Sequence, residues 1–312
     1  MPLPAPKSLP EFQRQFSDED SCLEYLVALR WRAGFACPAC GGTSHYLYPE
    51  RREVVCKGCR KHVRFTAGTM MHRSKLPLST WFYAAFLAST LTPGISAVQF
   101  QRQLGLKRYE TAFLLLHKIR SAMVAPEREP LHGVVEVDET LIGGVHPGGK
   151  RGRSTEKKTL VVGAVEVRPG KKRPVLAGRV RLRAIPDGSA DTLDAFVREH
   201  IAPGTVVMTD DHKGYMNLAK TGYDHRPEVG AELPLVHREF ANLKTWLRGT
   251  HHDRVERKHL QAYLNEFGFR HNRRFWPFSA FERVLTIGIG VEPFTYRELY
   301  DTDEFGRTLH VG

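Results

Sequence analysis

Apolar and polar positions change texture three times along the chain. Up to about residue 75 they show little periodicity. From Trp81 to Leu91 apolar residues dominate, which predicts a helix, and Thr92-Pro93-Gly94 stops it. Ile95 to Leu104 predicts a second helix closed by Gly105. Leu106-Lys107-Arg108-Tyr109 then opens a longer one, with Ala112, Leu115, Leu116, Ile119 and Met123 at helical spacing. Past residue 130 short apolar runs alternate with helical stretches, the pattern of a mixed α/β domain. Gly133 to Gly144 alternates as a strand does, with acids in its middle. Leu160 to Val167 and Val175 to Ile185 predict two more strands, and Asp191 to Ile201 a helix. Gly204 to Asp211 is a further apolar strand that ends in acid. The expected division is 1–75, 76–126, 127–290 and a polar tail at 291–312.

Composition narrows the partner. The hydrophobic share of 41% allows a sizeable core and excludes global disorder. The 46 Lys and Arg exceed the 34 Asp and Glu, giving a formal net charge of +12. Such an excess suits a polyanion, because each phosphate contact releases counterions. Short helix, Gly-Leu turn and longer helix at 76–126 outline a helix-turn-helix that offers Lys107, Arg108 and Lys118 to DNA. The same outline fits a helical hairpin with a solvated basic face. The stretch from Gly148 to Arg153 reads as a basic loop that adds Lys150 and Arg151. No apolar run reaches the roughly 18 residues of a membrane span, and the N-terminus lacks a signal-peptide core. The expected compartment is the cytoplasm, at the nucleoid.

Four of the five cysteines form two CxxC pairs, Cys37 with Cys40 and Cys56 with Cys59. This spacing predicts a zinc ribbon, in which four thiolates surround one structural Zn²⁺. Gly41, Gly42 and Gly58 supply tight turns, and Ser44 to Tyr48 and Arg52 to Val55 are strand-like. Cys22 and His45 are not expected as ligands. Whether the ribbon touches DNA or only staples the N-terminus stays open.

Carboxylates supply the second chemistry. An acid inside an apolar strand is costly unless a charge meets it, and a divalent cation is the simplest partner. Two strands carrying Asp138 and Asp210, on either side of a three-strand meander and a helix, follow the order of an RNase H-like nuclease core. Adjacent strands could bring Asp138 and Asp210 together around two Mg²⁺ or Mn²⁺ ions.

Four segments together resemble a family. They are VDETLIGG at 137–144, TDDHKGY at 209–215, His237 to His252, and Lys258 to Arg274. The chain resembles bacterial insertion-sequence transposases that carry an N-terminal zinc ribbon and a DDE-type catalytic domain, RNase H-like and of the retroviral-integrase type. The resemblance runs from about residue 20 to 290. It implies that Asp138 and Asp210 bind metal, with Asp211 the weaker choice for the second position. Many relatives then show Glu, with Phe three and Lys seven residues later. Here Phe240 and Lys244 fit that frame, and His237 stands where the Glu would be. His237 is therefore the expected third catalytic residue, with Asn242 and Glu239 as rivals, and Lys244 grips phosphate. Glu266, Arg270 and Arg273 resemble a further Glu-Arg-Arg signature, a carboxylate orienting two guanidinium groups toward DNA; a salt bridge is the plainer reading. The expected function is cleavage of terminal inverted repeats and strand transfer to target double-stranded DNA, by a homodimer or larger assembly. A zinc-ribbon regulator, a decayed copy, and a junction or repair nuclease on the same core are the alternatives.

Overall fold

The computed structural model describes residues 4–143, 158–170, 174–227, 233–252 and 255–301. Lys150 and Arg151 lie outside the described residues. The chain forms two compact units, Met1–Ala125 with Phe275–Leu299, and Pro126–Arg274 with Tyr300–Gly312.

The first unit begins with helices α1 (Leu9–Gln15) and α2 (Glu19–Arg30). Ser8 caps α1, and Asp18 caps α2 in a reciprocal box with Ser21. Strands β1 (His45–Tyr48), β2 (Glu53–Cys56) and β3 (His62–Arg64) make a small antiparallel sheet in that order. Arg30 bolts this sheet to α2, because its guanidinium donates to the carbonyls of Arg64, Phe65 and Ala67. Helices α3 (Leu78–Thr90), α4 (Ala97–Gln103) and α5 (Tyr109–Ser121) follow. Pro77 gives α3 no side-chain cap, and the Glu19 carboxylate accepts from Leu78 N and Ser79 N instead, at 2.9 and 2.7 Å.

The second unit is built on a five-stranded sheet. Its strands are β4 (Val134–Ile142), β5 (Thr159–Pro169), β6 (Val175–Ile185), β7 (Val206–Thr209) and β8 (Asp224–Pro227), in the order β6-β5-β4-β7-β8. The first three pair antiparallel, while β7 joins β4 and β8 joins β7 in parallel. Helix α6 (Ala190–His200) packs Leu193, Phe196 and Val197 with Val135 and Val137 of β4. Helices α7 (Pro234–His251) and α8 (Arg257–Asn272) pack Val236, Phe240, Leu243, Leu260 and Leu264 with Val161, Val180 and Leu182. Alternation along β4 therefore separates two cores. Gln261 and Asn272 of α8 pair their amides with the backbone of Leu182, Ala184 and Val180, which covers the outer edge of β6.

Helix α9 (Ser279–Gly288) belongs to the first unit. Phe281 is fully buried among Phe12, Phe16, Phe82 and Phe86. A buried aromatic of this size contributes about 1.5–3 kcal/mol. Residues 1–125 thus form one compact unit together with 275–299. No helix among the described residues is long and apolar enough to cross a membrane. The third helix also departs from the expected basic face. Lys107 and Arg108 are exposed, but Lys118 is only 7% exposed and lies over the Phe294 ring at 5.8 Å. It falls on the apolar side of α5 with Leu115 and Ile119, and burial lowers its pKa.

Candidate active site

Register brings the acids together. Val134, Val135 and Glu136 of β4 lie beside Val206, Val207 and Met208 of β7. Two further residues along each parallel strand set Asp138 beside Asp210, which stands just past the end of β7. Asp138 Oδ1 accepts from Glu139 N at 2.8 Å, and Asp210 Oδ1 accepts from His212 N at 3.1 Å. Each carboxylate is thereby held by local backbone, which leaves its second oxygen for other partners. Asp138 Oδ2 meets His237 Nε2 at 2.8 Å. His237 lies in the first turn of α7 and its side chain is half exposed, while that of Asp138 is largely covered.

The site is acidic. Burial raises the pKa of Asp138, and the Asp210 charge adds to that, against the amide of Glu139 and His237. Burial also raises Glu139, whose carboxylate accepts a hydrogen bond from the hydroxyl of fully buried Tyr215. Glu139 and Asp138 are consecutive on a strand, so they face opposite sides of the sheet. Tyr215 sits in the core of α6, and His237 on the side of α7. Burial raises Glu136 as well, and the amides of Val236 and Leu235 oppose it. Carboxylates gathered in a poorly solvated place favour either a proton or a cation. The two carboxylates are donors of the kind that hold Mg²⁺ or Mn²⁺, and the imidazole is a softer third donor beside them. Asp138, Asp210 and His237 are more widely spread than a compact single-ion cluster: among the described residues, only the cysteine quartet groups three or more such donor atoms within 4.8 Å of one another.

The rivals for the third position face elsewhere. Glu239 is buried, one oxygen lies 3.0 Å from His271 Nδ1 of α8, and Asn242 Nδ2 donates to it at 3.1 Å. Lys244 is exposed, and its ammonium donates to Thr140 Oγ1 at 2.7 Å, two residues beyond Asp138 on β4. The Glu-Arg-Arg face of α8 is more enclosed than expected. Glu266 is fully buried and pairs with Arg270 Nη1 at 3.4 Å. The Arg273 guanidinium stacks 4.0 Å over Phe269.

The four cysteines converge in the first unit. Cys37 and Cys59 sulfurs lie 3.6 Å apart, as do those of Cys40 and Cys56. Zn–S bonds of about 2.3 Å place the corners of a tetrahedron about 3.8 Å apart, so the quartet fits one zinc. Each knuckle closes on a left-handed residue, Gly41 at φ 71° and Arg60 at φ 60°. Gly41 N returns to Cys37 O and Arg60 N to Cys56 O. Cys22 is fully buried and its thiol is pushed up to about 12 by burial, and His45 packs on Phe35. Neither joins the quartet, whose grouping suggests structural Zn²⁺.

Sequence reasoning missed Glu136 and Glu139 at this site. Alternation along Val134 to Asp138 could have flagged Glu136, which shares the face of Asp138. Nothing in the sequence signals that Tyr215 reaches Glu139.

Two family models match the chain. The ISXO2-like transposase domain matches residues 130–272, and the transposase zinc-ribbon domain matches residues 17–62. Nothing among the curated proteins matches it. The chain therefore carries the two domains of IS1595-family transposases that these models describe, the N-terminal zinc ribbon over 17–62 and the DDE transposase domain over 130–272.

Proposed function

We propose that this protein is the transposase of an insertion sequence, which binds the terminal inverted repeats, cuts at their ends and joins them to target DNA. The observation that carries the reading is the meeting of Asp138 with His237 at 2.8 Å beside Asp210. The sheet order β6-β5-β4-β7-β8, antiparallel then parallel, supports an RNase H-like core. In this reading Asp138, Asp210 and His237 are the metal ligands. Mg²⁺ or Mn²⁺ held by these residues would activate the attacking oxygen and stabilise the leaving one. His237 gives up its hydrogen bond to Asp138 when it ligates. Lys244, now on Thr140, swings to a phosphate oxygen flanking the scissile bond. Glu139 and Tyr215 hold β4 against the turn after Asp210. Catalysis is positioning and charge, with no covalent protein intermediate.

Lys107 and Arg108 contact DNA backbone, as do Arg270 and Arg273 at the end of α8, with Glu266 holding Arg270. Lys150 and Arg151 belong to the same basic set. Structural zinc folds the ribbon. Two ends must be held at once, so a homodimer or larger assembly forms on DNA in the cytoplasm, at the nucleoid.

The test is strand cleavage and joining on end-labelled DNA that carries the element's own terminus. Wild type is expected to cut and join, while Asp138→Ala, Asp210→Ala and His237→Ala bind the end and do neither. Asn242→Ala is expected to stay active. Wild type that binds ends and never cuts in either metal would move the protein to the regulator reading. Cutting chosen by DNA shape with no regard for the terminus would favour a junction nuclease.

A further inference from the structure

The first turn of α7 has no cap of its own. Leu233 stands at the cap position without a side-chain acceptor, and Pro234 follows it. The amides of Leu235 and Val236 donate instead to one oxygen of Glu136, at 2.8 and 2.9 Å. Glu136 is 3% exposed, in a strand whose neighbours Val135 and Val137 are core. A carboxylate is expensive in such a place. Two buried amides and the positive end of an 18-residue helix offset that cost.

A serine or aspartate at position 233 would cap the helix as well. It would not tie the helix to β4. Glu136 does, and it does so two residues from Asp138 on the same face of the strand. On α7, Val236 is the direct neighbour of His237. The tie therefore spans the same pair of elements as the contact between Asp138 and His237, one step away at each end.

We propose that Glu136 is the positioning residue of this site: its carboxylate fixes the first turn of α7 to β4 and so places the His237 imidazole beside Asp138. The proposal rests on His237 being the third metal ligand. Partners that orient a ligand without touching the metal are worth about 10–100-fold in metal affinity or activity.

The experiment compares full-length wild type, Glu136→Gln, Glu136→Asp and His237→Ala. Mn²⁺ binding is titrated by calorimetry without DNA, and cleavage of the terminus is followed against Mn²⁺ concentration. Glutamine keeps an acceptor oxygen at the same reach, so its Mn²⁺ affinity is expected within about 3-fold of wild type. Aspartate falls one methylene short, and its affinity is expected to drop about 10–100-fold while affinity for terminal DNA holds. Glu136→Asp with wild-type Mn²⁺ binding overturns the proposal, and so does Glu136→Gln with the full loss. Should Glu136→Asp fail to fold by circular dichroism, Glu136→Ala takes its place with the same expected drop, and Glu136→Ala with wild-type Mn²⁺ binding overturns the proposal. His237→Ala separates the two ideas. If it binds Mn²⁺ and cuts as wild type does, the ligand reading fails; if it fails while Glu136→Asp behaves as wild type, the tie alone is wrong.

Discussion

Gly163 lies on β5 directly across from Asp138 and under α7. A Cβ at this position would stand 2.6 and 2.9 Å from Cε1 and Cζ of Phe240, and 3.1 Å from Leu182. Ordinary contact begins at 3.4 Å, so the ring would have to retreat by about 0.8 Å, the difference between 3.4 and 2.6. Phe240 is 4% exposed and shares its core with Val236 and Leu243 of the same helix. The ring has no free direction, and the helix must lift with it. Gly163→Ala is expected to destabilise the second unit by about 1–3 kcal/mol through overpacking. The gain of about 0.5–1 kcal/mol from replacing glycine in a strand offsets only part of this. His237 stands three residues before Phe240, so the lift carries its imidazole away from Asp138. A displacement near 1 Å costs up to about 10²-fold in rate. Denaturant midpoints and single-turnover cleavage of the terminus read the two effects. Gly163→Ala combined with Phe240→Leu is expected to recover most of the stability. Wild-type stability and rate in Gly163→Ala would refute the idea that this notch seats the helix.

Metal analysis is expected to give one zinc per chain, and Cys40→Ser or strong chelation to lower both zinc content and the melting temperature of the first unit; a zinc-free protein with unchanged melting would contradict the structural role. Acid is expected to weaken the second unit in two stages. Burial lowers the His200 pKa to about 3, and the nearby Arg183 charge lowers it further than Glu199 restores it. The unfolded chain takes a proton below about 6.5 that the folded one refuses, so this contribution falls away as pH drops from there toward 3. Burial works to raise Glu166, but hydrogen bonds and charge from Arg179, with Arg168, hold it at about 2, so its contribution is present above about 4.5 and lost toward 2. Denaturation midpoints that stay flat from pH 6.5 to 4.5 would argue against the His200 contribution, and midpoints flat from pH 4.5 to 2 against that of Glu166. Lys107→Ala and Arg108→Ala are each expected to reduce the salt slope of end binding by about 1, measured by fluorescence anisotropy. Lys118→Ala is expected to leave that slope alone and cost about 1 kcal/mol of stability through lost packing; a reduced slope would put Lys118 on the DNA after all.

The local alternation of apolar and polar residues made β4 to β7 and α3 to α6 legible, because each element announces its own period. The four cysteines were legible for a similar reason, since ligand spacing is a local property. Other features depend on what lies across from a residue, which no window of sequence contains. Lys118 reads as a basic helix residue until Phe294 covers it. Phe281 reads as part of the catalytic domain until four aromatic rings of the first unit enclose it. Glu239, a rival to His237 for the third ligand, stands only two residues from it in the chain. In three dimensions Glu239 faces His271 of α8, and His237 faces Asp138. Glu136 was hidden because an acid inside a strand reads first as chemistry, and here it reaches a helix terminus about one hundred residues away.

The most direct measurement is anomalous diffraction from Mn²⁺ in crystals of the protein bound to its own terminal DNA. Anomalous peaks are expected within ligand distance of Asp138, Asp210 and the His237 imidazole. Peaks ligated by Asn242 or Glu239 with His237 turned away, or no ordered Mn²⁺ at the end of β4, would contradict it.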